Sequence, residues 1–382
     1  ATIYQDVRNY LPHPYNNWKV IVSVNGYPIE QLVPANELQV HDPQRYWGNV
    51  SHNGNAWTTL LSRPFSIPNG MEGTHLAVWA SHGRYYDFKK DQWRWQRPGL
   101  FGTCEDILTQ TIVVPFLMPM LENAGAVVFS PRERDTQINE VIVDNDRPSI
   151  GGVYREDNGP RPWVDCGMGF AHWREFYRDK QNPFEEGTAR VADAQAENSK
   201  VSTISWIPNI PEDGEYAVYV SYKSSGDKST EDATYTIHHA GGESRFAVNQ
   251  QMGGGMWVYL GHFTFRKGDS KCLVSLSNKS EDEGRIISAD AVKIGGGYGN
   301  IARIPSARFQ QDDVHYEATT SEYPRFCEGS RYWLQWSGFS TDIYAPKEHL
   351  DDYKEDYMSR AHWVNALMGG SERLKDEEGK NI

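Results

Sequence analysis

Chemistry is most concentrated at His82 and Glu105. His82 precedes Gly83 and lies just past Leu76-Ala-Val-Trp-Ala80, an apolar run of the kind that forms a buried parallel strand. Open α/β sheets gather ligands at such carboxyl ends. Glu105 opens the next helical segment, so its carboxylate can face the same crevice. An imidazole and a carboxylate are two of the three protein ligands a catalytic zinc takes, with water in the open position. Such a metal acidifies its water and polarises a carbonyl. The competing structural readings are a turn at His82-Gly83 and a Glu105 carboxylate placed to suit the helix dipole. Between the pair lies a loop with Trp93, Trp95 and Arg97, able to stack on sugars or to pack onto a sheet. Arg132, Arg134 and Asp135 either line the same cleft or close a loop as an ion pair.

These residues need elements to hold them. Thr103 to Ala124 reads as a helix, with Thr103 and Asp106 as a capping box and Gly125 as its C′ stop. Pro115 and Pro119 should kink it. Ala126-Val-Val-Phe129 supplies a second buried strand, completing a β-α-β unit. Past Val201 the apolar period becomes two: Tyr216, Val218, Val220 and Tyr222 share a face, and Trp257–Leu260, Phe263–Phe265 and Leu273–Leu276 follow between turns. An antiparallel sandwich reaching about Gly297 is expected. Within it Trp257 and Tyr259 are expected to face opposite ways, one lining a sugar site and the other entering the core. His238 and His239 are neighbours in a strand and cannot share an ion. Trp18–Val24 followed by Asn25-Gly26 predicts a hairpin, and Leu350–Met368 a helix ended by Gly369-Gly370. His362 in that helix is a surface residue or, less economically, a substitute metal ligand.

Composition narrows the class of protein. The 382 residues carry 38 basic and 51 acidic side chains, a net charge of −13, which argues against a nucleic-acid partner needing a basic stripe. Thirteen Trp and 21 Tyr suit a sugar-handling protein or an aromatic β-core equally. Cys104, Cys166, Cys272 and Cys327 form no CxxC pair, so a cysteine zinc site is not expected. The longest apolar run, Ile112–Leu121, contains two prolines and is too short to span a membrane.

Val78-Trp-Ala-Ser-His82-Gly83, the helix from Glu105 to Glu122-Asn-Ala-Gly125, and Val127-Val-Phe-Ser-Pro-Arg-Glu-Arg-Asp135 resemble, in order, the opening segments of the zinc-dependent N-acetylmuramoyl-L-alanine amidase domain. Arg360-Ala-His-Trp-Val-Asn365 resembles a later helix of it. Gly253-Gly-Gly-Met-Trp-Val-Tyr-Leu-Gly261 and Ser288-Ala-Asp-Ala-Val-Lys-Ile-Gly295 resemble the golvesin/xanthan-lyase type sandwich that interrupts such domains in bacterial proteins labelled "xanthan lyase". The resemblance implies an α/β plus all-β protein: an amidase-like open α/β sheet split by an inserted antiparallel sandwich, after a β-rich N-terminal segment. The corresponding division is 1–73, 74–150, 151–298 and 299–382. It implies zinc held by His82 and Glu105, and a substrate surface of Arg84, Trp93, Trp95, Arg97, Arg132, Arg134 and Trp257. The family's third zinc ligand and catalytic glutamate have no counterpart before Ile382, so the chain is expected to stop short of a complete centre.

Three functions follow as expectations. The first is a zinc amidase cleaving the bond between glycan and peptide in peptidoglycan, secreted or held in the bacterial envelope. The second is a non-catalytic surface module that binds glycan. The third is a polysaccharide lyase, which needs a Tyr or His base beside a neutralised uronate.

Overall fold

Ile3, Val7, Tyr10 and Leu11 recur at helical spacing and are followed by Pro12, and a helix runs from Thr2 to Tyr10. Strand character was expected in this segment, so its first element is a correction. The computed structural model describes residues 2–24, 27–29, 54–63, 65, 67, 70–269, 271 and 273–368. It divides into two compact units, Ala1–Ser51 and His52–Ile382. In the first, Ser23–Val24 pairs antiparallel with Tyr27–Pro28, the register a two-residue turn produces. The turn residues Asn25 and Gly26 lie outside the described residues, as do Cys272, Gly369-Gly370 and the last residues to Ile382.

In the second unit, period-two patterning builds a sandwich of two antiparallel sheets. The four-stranded sheet has the order Val141–Val143, Val292–Ile294, Gly214–Val220, Val258–Phe265. The six-stranded sheet has the order Gly152–Asp157, Thr203–Pro208, Leu273–Ser277, Ala233–His239, Gly242–Val248, Thr58–Leu60. Val164–Gly169, Gly187–Asp193 and Ile286–Ala289 form a third, smaller sheet. Alternation holds residue by residue: Ile204, Trp206 and Pro208 are buried while Thr203, Ser205 and Ile207 are half-buried. The sandwich therefore draws strands from 58–60 and 141–143 as well as from 151–298.

Tyr216–Val220 is buried on both faces, which its continuous apolar sequence requires. Tyr216, Val218 and Val220 enter the sandwich core with Trp206, Tyr235 and Leu276. Ala217 and Tyr219 face a second core with Trp257, Trp333 and Trp336. The helices Ser330–Trp336 and Asp352–Met368 contribute to that second core, together with Phe170, Tyr177 and Phe184. A buried ion pair ties the layers together. Lys293 Nζ lies 2.8 Å from Glu133 Oε2, and Tyr219 donates to the same carboxylate.

The expected β-α-β unit forms, with His75–Ala77 parallel to Val127–Phe129. Among the described residues it is the one parallel pair of strands, so the parallel core is far smaller than an open α/β sheet. The connecting helical segment starts at Glu105, with Cys104 as its N-cap. Thr103 and Asp106 do not make a capping box: Thr103–Cys104 pairs with Gly99–Leu100, and the Asp106 carboxylate accepts from the N–H groups of Gln96 and Arg97. Pro115 does not simply kink the helix. Val113–Leu117 widens to a π-helical turn, relieving the clash between the proline ring and the carbonyl one turn back. Gly125 (φ +103°) ends it as expected, with Ala126 N–H donating to Leu121 O and Gly125 N–H to Glu122 O, a Schellman motif.

Candidate functional site

The β-α-β unit does bring His82 and Glu105 together. His82 Nδ1 lies 3.9 Å from Glu105 Oε1 and 3.1 Å from Ser81 Oγ. Burial and the nearby Arg97 guanidinium hold the imidazole below its ordinary range. Gly83 is needed here because a Cβ would meet the Glu328 carbonyl at 2.5 Å. That space lets Arg132 reach across to donate to the carbonyls of His82, Phe326 and Glu328. Zinc fits this place poorly. Two donors converge, Arg97 Nε stands 3.9 Å from the other Glu105 oxygen, and among the described residues no three His, Cys, Asp or Glu side chains gather.

The Trp-Arg loop is a hairpin, Arg84–Asp87 with Gln92–Trp95, in which Tyr86 is buried, Gln92 is exposed and the rest are half-buried. Trp93 donates Nε1–H to Thr319 O and lies 4.8 Å from the Tyr332 ring. Arg84 lies between Trp95 and Tyr323, 5.1 and 3.9 Å from their ring centroids. Arg97 stays near His82 and donates to Tyr353 Oη.

The other three expected residues, Arg132, Arg134 and Trp257, line a different place: a cavity of about 1240 Å³ between the sandwich edge, the 105–123 helical segment and the 130–136 loop. Arg134 makes a bidentate pair with Glu122 (2.7 and 3.0 Å), and its guanidinium lies 3.9 Å over the Tyr259 ring. Arg134 is thus ion-paired, as one reading expected, while the cavity it lines is not the His82–Glu105 cleft of the other. Trp257 and Tyr259 line the cavity together, against the expectation that they oppose each other. Residues two apart in a strand share a face, and Trp257 immediately precedes this strand.

The cavity also holds His262, which the sequence reading passed over. Tyr259 and His262 are three apart and would ordinarily face opposite ways. The ladder slips between Val218 and Tyr219: Val218 pairs with Gly261, but Tyr219 pairs with Tyr259. The extra residue, Leu260, turns into the core. This bulge brings Tyr259 and His262 to one side, with Tyr259 Oη 2.7 Å from His262 Nδ1. Burial raises the Tyr259 phenol well above its usual range, and because Asp135 can only accept, the tautomer that suits all three groups has Tyr259 donating to Nδ1. Nε2 then carries its proton toward Asp135 Oδ1, 3.6 Å away. Burial alone would raise Asp135, but His262 and the N–H groups of Gln137 and Ala217 outweigh it and hold the carboxyl below its ordinary range. Gly261, an isolated glycine in an apolar strand, was the available signal for the bulge.

Aromatic and charged groups share the cavity wall. Trp57, Phe246 and Phe263 present rings, while Arg63, Arg132 and Arg134 face Glu72, Glu122, Asp135 and Glu215. Three positive against four negative side chains leave no positive field to draw in a polyanion.

Comparison with known proteins places the sandwich. Residues 177–296 match the Golvesin C-terminal domain. Over 92 residues, 24% of the chain, the sequence is 32% identical to the xanthan lyase of Bacillus sp. (strain GL1). The match covers 10% of that protein, so the chain spans about a tenth of this curated relative. Among solved structures, Paenibacillus xanthan lyase aligns at 22% identity and a TM-score of 0.31, over 41% of this chain and 13% of that one. A family 35 carbohydrate binding module from Clostridium thermocellum aligns at 13% identity and a TM-score of 0.25, over 41% and 97%. The golvesin/xanthan-lyase resemblance thus stands for the sandwich. None of these matches is to an amidase.

Proposed function

We propose that this chain is a glycan-binding module, acting outside the cytoplasm, that holds a neutral sugar segment in the cavity beside Tyr259 and His262. The observation that carries this reading is the bulged strand, which aims a phenol and an imidazole together into a ring-lined cavity. Sugars are bound by flat apolar faces and a few fixed polar groups. The 3.6 Å gap between His262 Nε2 and Asp135 exceeds an N–H···O bond, leaving that proton available to a ligand hydroxyl. Asp135 is buried and serves to orient the ring. The balanced wall charge favours a neutral glycan over a uronate-rich one. The sequence match to a xanthan lyase supports a polysaccharide partner, and extracellular polymers of that kind support a secreted or surface location.

A lyase is the weaker reading of the same cavity. Its base has to lose a proton, whereas Tyr259 holds its own, and the Arg134 that would neutralise a uronate is taken by Glu122. In the structure the amidase reading has the His82–Glu105 contact behind it, with no third metal donor among the described residues. Isothermal titration calorimetry with cello-oligosaccharides, xanthan fragments and peptidoglycan fragments separates these. We expect a glycan isotherm that His262→Ala and Tyr259→Phe each weaken about tenfold, about 1.4 kcal/mol, with the circular dichroism of both variants unchanged. Glycan affinity indifferent to both substitutions defeats the assignment to this cavity.

A further inference from the structure

Trp173 presents a contradiction that a ligand resolves. It is 53% exposed, yet its ring is fixed on several sides. Nε1–H donates to Glu186 O (3.0 Å), and the Glu186 carboxylate takes Arg174 Nε (2.7 Å). Arg147 holds its guanidinium 5.2 Å from the ring centroid and is itself anchored by donating to His172 O (2.6 Å). A large apolar ring left in water forgoes burial, and locking it costs side-chain entropy as well. Holding such a ring rigid with its surface half open suits a partner with a flat apolar face and a polar edge.

A second cavity, about 410 Å³, begins at Arg147 and His172, the anchor of the ring and its chain neighbour. Its wall includes Asn209 and Glu140, and the Glu140 carboxylate is already tied to Arg325. Its size is at the small end of ligand pockets. No residue lining it also lines the larger cavity.

We propose that Trp173 and this pocket form a second glycan subsite, taking one or two neutral pyranose rings. One sugar face stacks on the open side of the indole, and hydroxyls reach the Arg147 guanidinium and the Asn209 amide. The ligand class rests on the glycan-binding reading above; the place does not. The probe is a β-1,4-linked glucose hexamer, followed by calorimetry and by tryptophan fluorescence of wild type against Trp173→Ala. We expect two binding events in the wild type. Trp173→Ala should remove one with at least a tenfold loss, while Trp173→Phe keeps it within about threefold because a stacking ring remains. Thermal melts confirm that both variants fold; if the alanine variant does not, Asn209→Ala takes its place and should weaken the same event. A single event abolished by His262→Ala and untouched by Trp173→Ala overturns the subsite and leaves the larger cavity standing. A single event abolished by Trp173→Ala and untouched by His262→Ala supports the subsite and removes the larger cavity from the function. No binding at either place, or two events indifferent to Trp173→Ala, overturns the subsite.

Discussion

Asp144 is 3% exposed, and neither of its carboxylate oxygens has a hydrogen-bond partner. Burial, with Asp290 and Asp146 adding repulsion, pushes its carboxyl up to about 9. An unfolded Asp titrates near ~3.9, so at neutral pH the native state keeps a proton that the unfolded chain releases. The stability this contributes is complete below that unfolded value and is lost as pH rises toward about 9. Asp144→Asn keeps the shape and removes the titration. Urea unfolding should show its advantage over wild type growing from little at pH 4 by up to about 1.4 kcal/mol per pH unit toward pH 8. Equal gains at both pH values would show that the carboxyl does not hold its proton. Sequence does not mark this residue, because its cost comes first from burial, which only the assembled fold imposes. His82 and Glu105 are the opposite case: local spacing anticipates that they lie side by side, but what spacing cannot supply is a third donor from elsewhere in the fold.

Among the elements, the Gly214–Val220 strand with its covering helices shows how sequence and structure relate. Period-two patterning identified this strand and its core face, since Tyr216, Val218 and Val220 are all buried together. It did not reveal that Ala217 and Tyr219 are covered as well, because the cover comes from helices more than a hundred residues later. The bulge at Leu260 was hidden for a related reason: it is a property of a strand pair, and Gly261 marks only one partner. Beneath the helices, the Lys293–Glu133 pair gives a testable consequence. Lys293→Met leaves a carboxylate buried with only Tyr219 and two backbone N–H groups as donors, Arg134 and Asp135. Breaking one side of such a pair should cost about 3–5 kcal/mol. Adding Glu133→Gln should recover part of that, measured as a double-mutant cycle in urea. Strict additivity would mean that the two side chains do not interact.

For the molecule as a whole, buried acids set the response to alkali, and three of them are shifted furthest. Burial pushes Asp290 and Glu328 up to about 7 and Asp144 to about 9. All three are raised, so each withdraws stability as pH climbs from the unfolded carboxylate range through its folded value. Histidines lowered by burial, among them His82 and His172, work the other way, but their gain is complete once pH exceeds about 6.5. The melting temperature should therefore fall between pH 7 and pH 9, and less steeply in Asp144→Asn; scanning calorimetry across that range would detect the opposite slope. The sheet topology carries one more consequence. Gly242–Val248 would be the free edge of the six-stranded sheet but for Thr58–Leu60, which pairs along it from almost two hundred residues away. An unpaired edge is a template for another chain. A fragment trimmed to the recognisable domain, 177–296, loses that guard, along with Val141–Val143 and Gly152–Asp157 at the far ends of both sheets. Its hazard is then self-association by strand addition, and solubility becomes a property conferred on the sandwich by the sequence that precedes it.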